Sequence, residues 1–242
     1  SCSGLWSARV SKSFTTSFVP PRPPLLTVVW DDTVGAHIVT VAPQAKTSST
    51  KATSHLRVDR EQGGGWQPFA EDLTAEEHVL SDYRSPSNGE VKFRAVAFTV
   101  EDATAETVVA CQTISDAFWL AAGPNFDAPL RLIYGEGAPT QLGGETMRER
   151  SVEQYSGREL PVAYVGEQVT GEVTFSGVLV EDVDDNPTPA EFEDVVAAQV
   201  PAHLLRSPDG RVVFLSIDSA PLSRVTAGLW QYSVQGTRVE AP

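Results

Sequence analysis

Apolar residues along this chain recur at every second position over short runs, and Pro, Gly and charged residues separate the runs. A strand turns successive side chains to opposite faces, so this alternation marks half-buried β-strands. Strands are predicted for LLTVVW (25–30), AHIVTVA (36–42), SHLRVDRE (54–61), WQPF (66–69), EVKFRAVAFTV (90–100) and ETVVACQTI (106–114). Within EVKFRAVAFTV, Val91, Phe93, Ala95 and Ala97 should share one face. Further strands are predicted around 130–134, 161–165, 170–181, 211–217 and 227–239. The glycine run in EQGGGWQPF reads as a hairpin tip; a phosphate cradle would need a helix behind it and a Lys-Ser or Lys-Thr pair.

These elements group into an extended arm (1–24), a first β domain (25–115) and a second (116–242), with the register change near Ser115 as the boundary. The turn DYRSPSNG, with Pro86, Asn88 and Gly89, feeds a strand in the manner of the later strands of a fibronectin-like or immunoglobulin-like sandwich. The fold class is therefore mainly β. The arm is rich in Ser and Thr, carries Trp6, Phe14 and Phe18, and ends in a stiff polyproline-like stem from Pro20 to Pro24. The segment 139–157, PTQLGGETMRERSVEQYSG, is polar enough to be expected as a loop that is mobile or ordered only against a partner. With the arm aromatics, its Met147, Arg148 and Arg150 make the candidate assembly interface.

One stretch breaks the strand pattern. EDVDDNPTPAEFED (181–194) follows the calcium-loop template, with Asp182, Asp184, Asn186 and Glu193 at liganding positions. Its sixth position requires positive φ, hence glycine, yet Pro187 stands there with φ held near about −65°. An EF-hand is excluded; a different loop site using Asp182, Asp184 and Asp185 is the weak metal candidate. The same residues suit a helix near 189–200. Thr188 caps, Pro189 takes the first helical position and Glu191 completes a capping box, while Phe192, Val195 and Val196 fall on one face and Pro201 ends the helix.

Composition narrows the function classes. With 32 acidic and 18 basic residues the net charge is −14, which repels a phosphate backbone and argues against sequence-specific nucleic-acid binding. The first thirty residues hold no apolar run of signal-peptide length, and nowhere is there a membrane-spanning run of about 18 apolar residues, so no membrane insertion is expected. Cys2 and Cys111 alone form no disulfide framework or metal pair. His37, His55, His78 and His203 are scattered without metal-binding spacing, no G-x-S-x-G elbow occurs, and no cofactor is expected. Nothing points to an enzyme.

Taken together, HIVTVA, the hairpin LRVDREQGGGWQPF, and SDYRSPSNGEVKFRAVAF resemble the first part of minor tail proteins of long-tailed bacteriophages of actinobacteria. Asp82, Tyr83, Pro86, Phe93, Arg94 and Ala95 carry that last likeness. DAFWLAAGPNFDAPLRLIYGEG looks like the family's inter-domain linker, with a longer loop after Trp119 than usual. SGRELPVAYVGEQVTGEVTFSGVLV, the helix and LLRSPDGRVVFLSI are similar to the β-barrel with helix of tail-tube and distal-tail proteins. The resemblance implies a virion tail structural protein, assembled in the host cytoplasm. It would form a homo-oligomeric ring, or sit around one, against tail-tube and tail-tip hub neighbours. If the barrel lines a channel, acidic side chains there would let DNA pass.

Two other readings stay open at the level of sequence. A secreted or surface carbohydrate-binding protein would present Trp66, Trp119 or Trp230 as a platform for sugar. A hydrolase acting on cell-envelope polymer would use an acidic pair among Glu181, Asp182, Asp184 and Asp185.

Overall fold

The computed structural model describes residues 18–132, 141–153, 162–181 and 186–241, with 141–142, 145–153 and 162–170 described through their backbone only. In chain order come β1 (Leu25–Asp31), β2 (Ala36–Ala42), β3 (His55–Gln62), β4 (Gly65–Thr74), β5 (His78–Asp82), β6 (Gly89–Phe98) and β7 (Thr104–Thr113). Two antiparallel sheets result, one ordered β1-β2-β5 and the other β4-β3-β6-β7. Leu26, Val39 and Val41 of the first meet Leu56, Val58, Val91, Phe93, Ala95 and Ala97 of the second in one core. The alternation in β6 thus maps directly onto its buried face. Gly63 and Gly64, both at positive φ, make the β3–β4 hairpin tip. β5 is a strand that the sequence pattern does not single out, because HVLSD carries only two adjacent apolar residues; its place comes from pairing along β2.

Between Thr113 and Phe118 the chain passes to a second core. Its elements are β8 (Phe118–Ala121), β9 (Leu130–Leu132), β10 (Gln141–Glu153), β11 (Val162–Val180), the helix α1 (Pro189–Val196), β12 (His203–Arg206), β13 (Val212–Ser219), β14 (Leu222–Thr226) and β15 (Leu229–Arg238). They form one antiparallel sheet ordered β10-β11-β15-β13-β12-β8-β9, with β14 also on β15. Phe118, Leu120, Phe175, Leu179, Leu205, Leu215, Tyr232 and Val234 cluster on it, and α1 adds Phe192, whose ring lies 4.9 Å from that of Tyr232.

Three expectations change. The second domain does not close into a barrel among the described residues; β9 is three residues long and sits at the opposite end of the sheet from β10, so nothing joins the two edges. The expected 139–157 loop holds the strand β10, which pairs with β11 from Gln141↔Ser176 to Glu153↔Val162. Its polarity suits an outer strand with solvent on one side, and cross-strand pairing overrides composition. Finally, α1 stops at Val196, short of Pro201. There the chain turns through Ala197 so that β12 can insert between β8 and β13, and His203 Nε2 meets the Val195 carbonyl at 2.9 Å.

The helix start follows the sequence closely. Glu191 N donates to Thr188 Oγ1 at 3.3 Å, and Thr188 N donates back to Glu191 Oε2 at 2.8 Å, which closes the capping box. Pro187 is buried beside it and Glu193 is exposed.

Candidate functional site

The densest polar and aromatic cluster lies where the two cores meet, and it grows from one short strand. β12 reads HLLR, and all four residues are buried because the strand is flanked by β8 on one side and β13 on the other. Its last residue, Arg206, is 1% exposed and reaches into the first half. Arg206 Nη2 donates to the Gly35 carbonyl at 2.6 Å and Nη1 to the Ser85 carbonyl at 3.4 Å. The guanidinium also sits 5.6 Å from the Trp30 ring and 5.8 Å from the Trp119 ring, one from each half. Burial lowers its pKa to about 10, with Asp82 and then Tyr83 opposing, so it is a cation at neutral pH. Carbonyl acceptors and aromatic faces replace the water that such a buried charge has lost.

Asp32, in the turn after β1, gathers donors from both sides of the joint. Trp30 Nε1 reaches Asp32 Oδ1 at 3.2 Å, Ser115 Oγ reaches the same oxygen at 3.0 Å, and Arg131 Nη2 reaches Oδ2 at 2.5 Å. Ser115 in turn accepts from Trp119 Nε1 at 3.1 Å. The Trp119 ring is pressed against the backbone of Gly35, where φ is +62° and an added Cβ would lie 2.4 Å from ring atom Cε3. Only glycine fits there, for conformation and for space.

His37 lies behind the tryptophans, fully buried, with its ring 5.0 Å from Trp30 and its Nε2 2.7 Å from Thr113 Oγ1. Desolvation pulls its pKa down to about 4; Asp82 pulls the other way, and Arg206 and Arg60 add to the lowering. It is neutral at physiological pH. Asp82 accepts from Arg60 Nη1 at 2.6 Å, from the Arg84 amide at 3.0 Å and from the Ser85 hydroxyl. A second seam joins the Asn88 side chain to the Pro208 carbonyl and Arg84 Nη2 to the Pro124 carbonyl at 3.1 Å.

Beside this joint a cleft of about 440 Å³ is lined by Arg60, Asp82 and Arg84 of the first half and by Asn125 and Asp127 of the second. Its most buried charges, Arg60 and Asp82, already neutralise each other, so the cluster acts as a brace between the halves. Among the described residues no group of three or more His, Cys, Asp or Glu is placed to hold a metal ion.

The residues singled out from sequence fall elsewhere. Asp182, Asp184 and Asp185, and the arm residues Trp6 and Phe14, lie outside the described residues. Phe18 opens the described chain and is 55% exposed. Met147, Arg148 and Arg150 lie on β10, opposite Thr170, Val169 and Val165, with a register shift between Arg148 and Arg150. Of the three proposed sugar platforms, Trp119 is buried, Trp66 carries Arg94 over its ring at 4.9 Å, and Trp230 carries Arg224 at 5.8 Å and donates to the exposed Glu181 at 2.7 Å. Sequence reading passed over Gly35, Asp32 and Arg206. The available signals were a glycine leading straight into an apolar strand in DDTVGAHIV and a lone cation closing the apolar run HLLR.

Set against known protein families, curated proteins and solved structures, the chain gives no significant match.

Proposed function

We propose that this chain is a structural component of a phage tail tip or baseplate, assembling into or around a ring at the end of the tail tube, without catalytic turnover. One observation carries most of the weight. Among the described residues, Val162–Val165 and Val169–Gly171 of β11 pair with β10 alone, because the pairing with β15 begins only at Glu172. The β10–β11 hairpin therefore runs on past the sheet as a two-stranded ribbon. An isolated ribbon of that kind is marginal in water, and its outer edge offers unpaired amides and carbonyls to a neighbour. Ring assembly covers both.

Other features fit the same reading. The order β1-β2-β5 against β4-β3-β6-β7 suits a fibronectin-like sandwich whose fourth strand has joined the other sheet. The open second sheet, with β10 at one end and β9 at the other, would find its missing strand partners between subunits, as a tail-tube-like unit would. The brace around Arg206 holds the two units in fixed relation, as a ring requires of each copy.

The test is mass and shape in solution. Light scattering after size exclusion should show a closed oligomer, negative-stain micrographs should show rings, and replacing residues 146–169 by a tight turn should leave monomers. A strict monomer at every concentration, or saturable affinity for envelope glycans, overturns the reading.

A further inference from the structure

The outer face of the β1-β2-β5 sheet is largely uncharged on a strongly acidic protein, with Asp31 at the far end of β1 the charged residue in its alternation. Register places Leu25 opposite Ala42, Thr27 opposite Thr40 and Val29 opposite Ile38, then Thr40 opposite Val79 and Ile38 opposite Ser81. Residues directly opposite share a face, so these eight form one continuous block without a single charge. Leu25, Val29 and Val79 are 57%, 63% and 64% exposed. The other face of the same sheet carries Leu26, Val39 and Val41 into the core, so the exposed apolar residues are surplus to folding. Exposed contiguous apolar surface marks interaction sites.

The chain also supplies a segment that matches this surface. From Trp6 to Phe18 the even positions are Trp, Ala, Val, Lys, Phe, Thr and Phe, while the odd positions are Ser, Thr and Arg only. That is a strand period with one apolar side. Arg9, Lys12 and Arg22 are the only charged residues before Asp31, leaving 15 basic against 32 acidic residues in the remainder. The segment's sequence is basic and apolar on alternate positions while the body is acidic, with the exposed Glu77 flanking the neutral block.

Direction decides whose face it covers. Gln44 Nε2 donates to the Pro23 carbonyl at 2.8 Å and the Lys51 amide to the Pro20 carbonyl at 3.1 Å. These bonds hold the Pro-rich stem on a course that continues β1 past the Leu25–Ala42 end of the sheet. Covering its own face would need the chain to double back tightly at Phe18–Val19 or within a stem of four prolines. The fourteen residues from Trp6 to Val19 can span up to about 46–50 Å when extended, enough to reach a neighbouring copy.

We propose that the N-terminal segment of one copy, residues 6–18, docks its apolar side on the β1-β2-β5 face of the next copy. This head-to-tail contact rests on the ring-assembly reading and specifies one joint within it. Such a contact is heterologous, so it propagates around a ring.

The test uses the full chain with two double substitutions. Val29→Glu with Val79→Glu alters exposed face positions, and Val10→Asp with Phe14→Asp alters the segment; circular dichroism checks that both variants fold. A fluorescein-labelled peptide of residues 4–19 is titrated onto the Val10→Asp/Phe14→Asp chain, whose own segment is disabled. The peptide should bind, and adding Val29→Glu/Val79→Glu should weaken it by roughly a hundredfold, as expected for apolar anchors at the centre of an interface. Self-association of the intact chain should weaken with either pair. Equal peptide binding with and without the face substitutions overturns the proposal. So does association that survives the segment substitutions but not the face substitutions, since two faces would then be pairing with each other. Rings that persist through both pairs remove this joint and leave the ring reading standing, whereas a monomeric intact chain that does not bind the peptide removes both.

Discussion

Replacing Gly35 by Ala should cost about 2–5 kcal/mol, and the cost should depend on Trp119. A left-handed conformation costs a residue with a Cβ roughly 1–2 kcal/mol, and Gly35 has φ +62°. The added methyl would meet ring atoms Cε3, Cζ3 and Cδ2 of Trp119 at 2.4, 2.5 and 2.9 Å, against an optimal carbon separation of about 3.5 Å or more. The ring has no room to retreat. It is 1% exposed, its Nε1 is tied to Ser115, and Trp30 stands edge-on at 6.1 Å. Forced overpacking of this kind costs about 1–3 kcal/mol. The assay is urea unfolding followed by tryptophan fluorescence, in a cycle of Gly35→Ala, Trp119→Leu and the double variant. With the smaller side chain at 119, only the conformational cost should survive, giving a coupling of about 1–3 kcal/mol. Because the two residues belong to different cores, Gly35→Ala should also split one transition into two. A cost below about 0.5 kcal/mol, or one unchanged by Trp119→Leu, would refute the close approach as the brace between the halves.

Three further outcomes follow from the same geometry. His37 has its pKa lowered to about 4 by burial, below the unfolded value of about 6.5, so the unfolded state takes up its proton first as pH falls. Its contribution is fully present above pH 6.5 and is lost between about 6.5 and 4; unfolding at pH 7 and pH 4.5 should differ by about 2–3 kcal/mol less in His37→Gln than in the parent chain. Arg206→Met should destabilise by about 2–4 kcal/mol in chemical denaturation, since the Gly35 carbonyl loses a buried, charged donor at 2.6 Å, and a variant as stable as the parent would refute that role. Thr188→Ala should cost about 1 kcal/mol, and Glu191→Ala in that background should add little, because the two side chains act as one capping box.

How much was legible beforehand depended on the range of the physics. The capping box spans four residues and is written in them, so Thr188, Pro189 and Glu191 could be placed at once. The buried face of β6 was legible for the same reason, since alternation is a property of the strand itself. β10 was not, because QLGGETMRERSVE has no apolar period and becomes a strand only through the partner β11 brings. β5 and β12 were missed because five and four residues are too few to show a period. The brace was hidden more deeply: Gly35, Trp119 and Arg206 are far apart in sequence, and nothing local to any of them announces the other two.

By itself, then, the chain's order of residues determined a mainly β protein with a capped helix and a glycine-tipped hairpin, because each of these rests on interactions between near neighbours. Tertiary structure alone decided that the second sheet stays open among the described residues and that a polar segment becomes its outer strand. It also decided that a buried arginine joins the two halves and that a largely uncharged sheet face stands exposed. Those outcomes depend on which strands meet across long stretches of chain, where pairing and burial are shared between residues that carry no mark of one another.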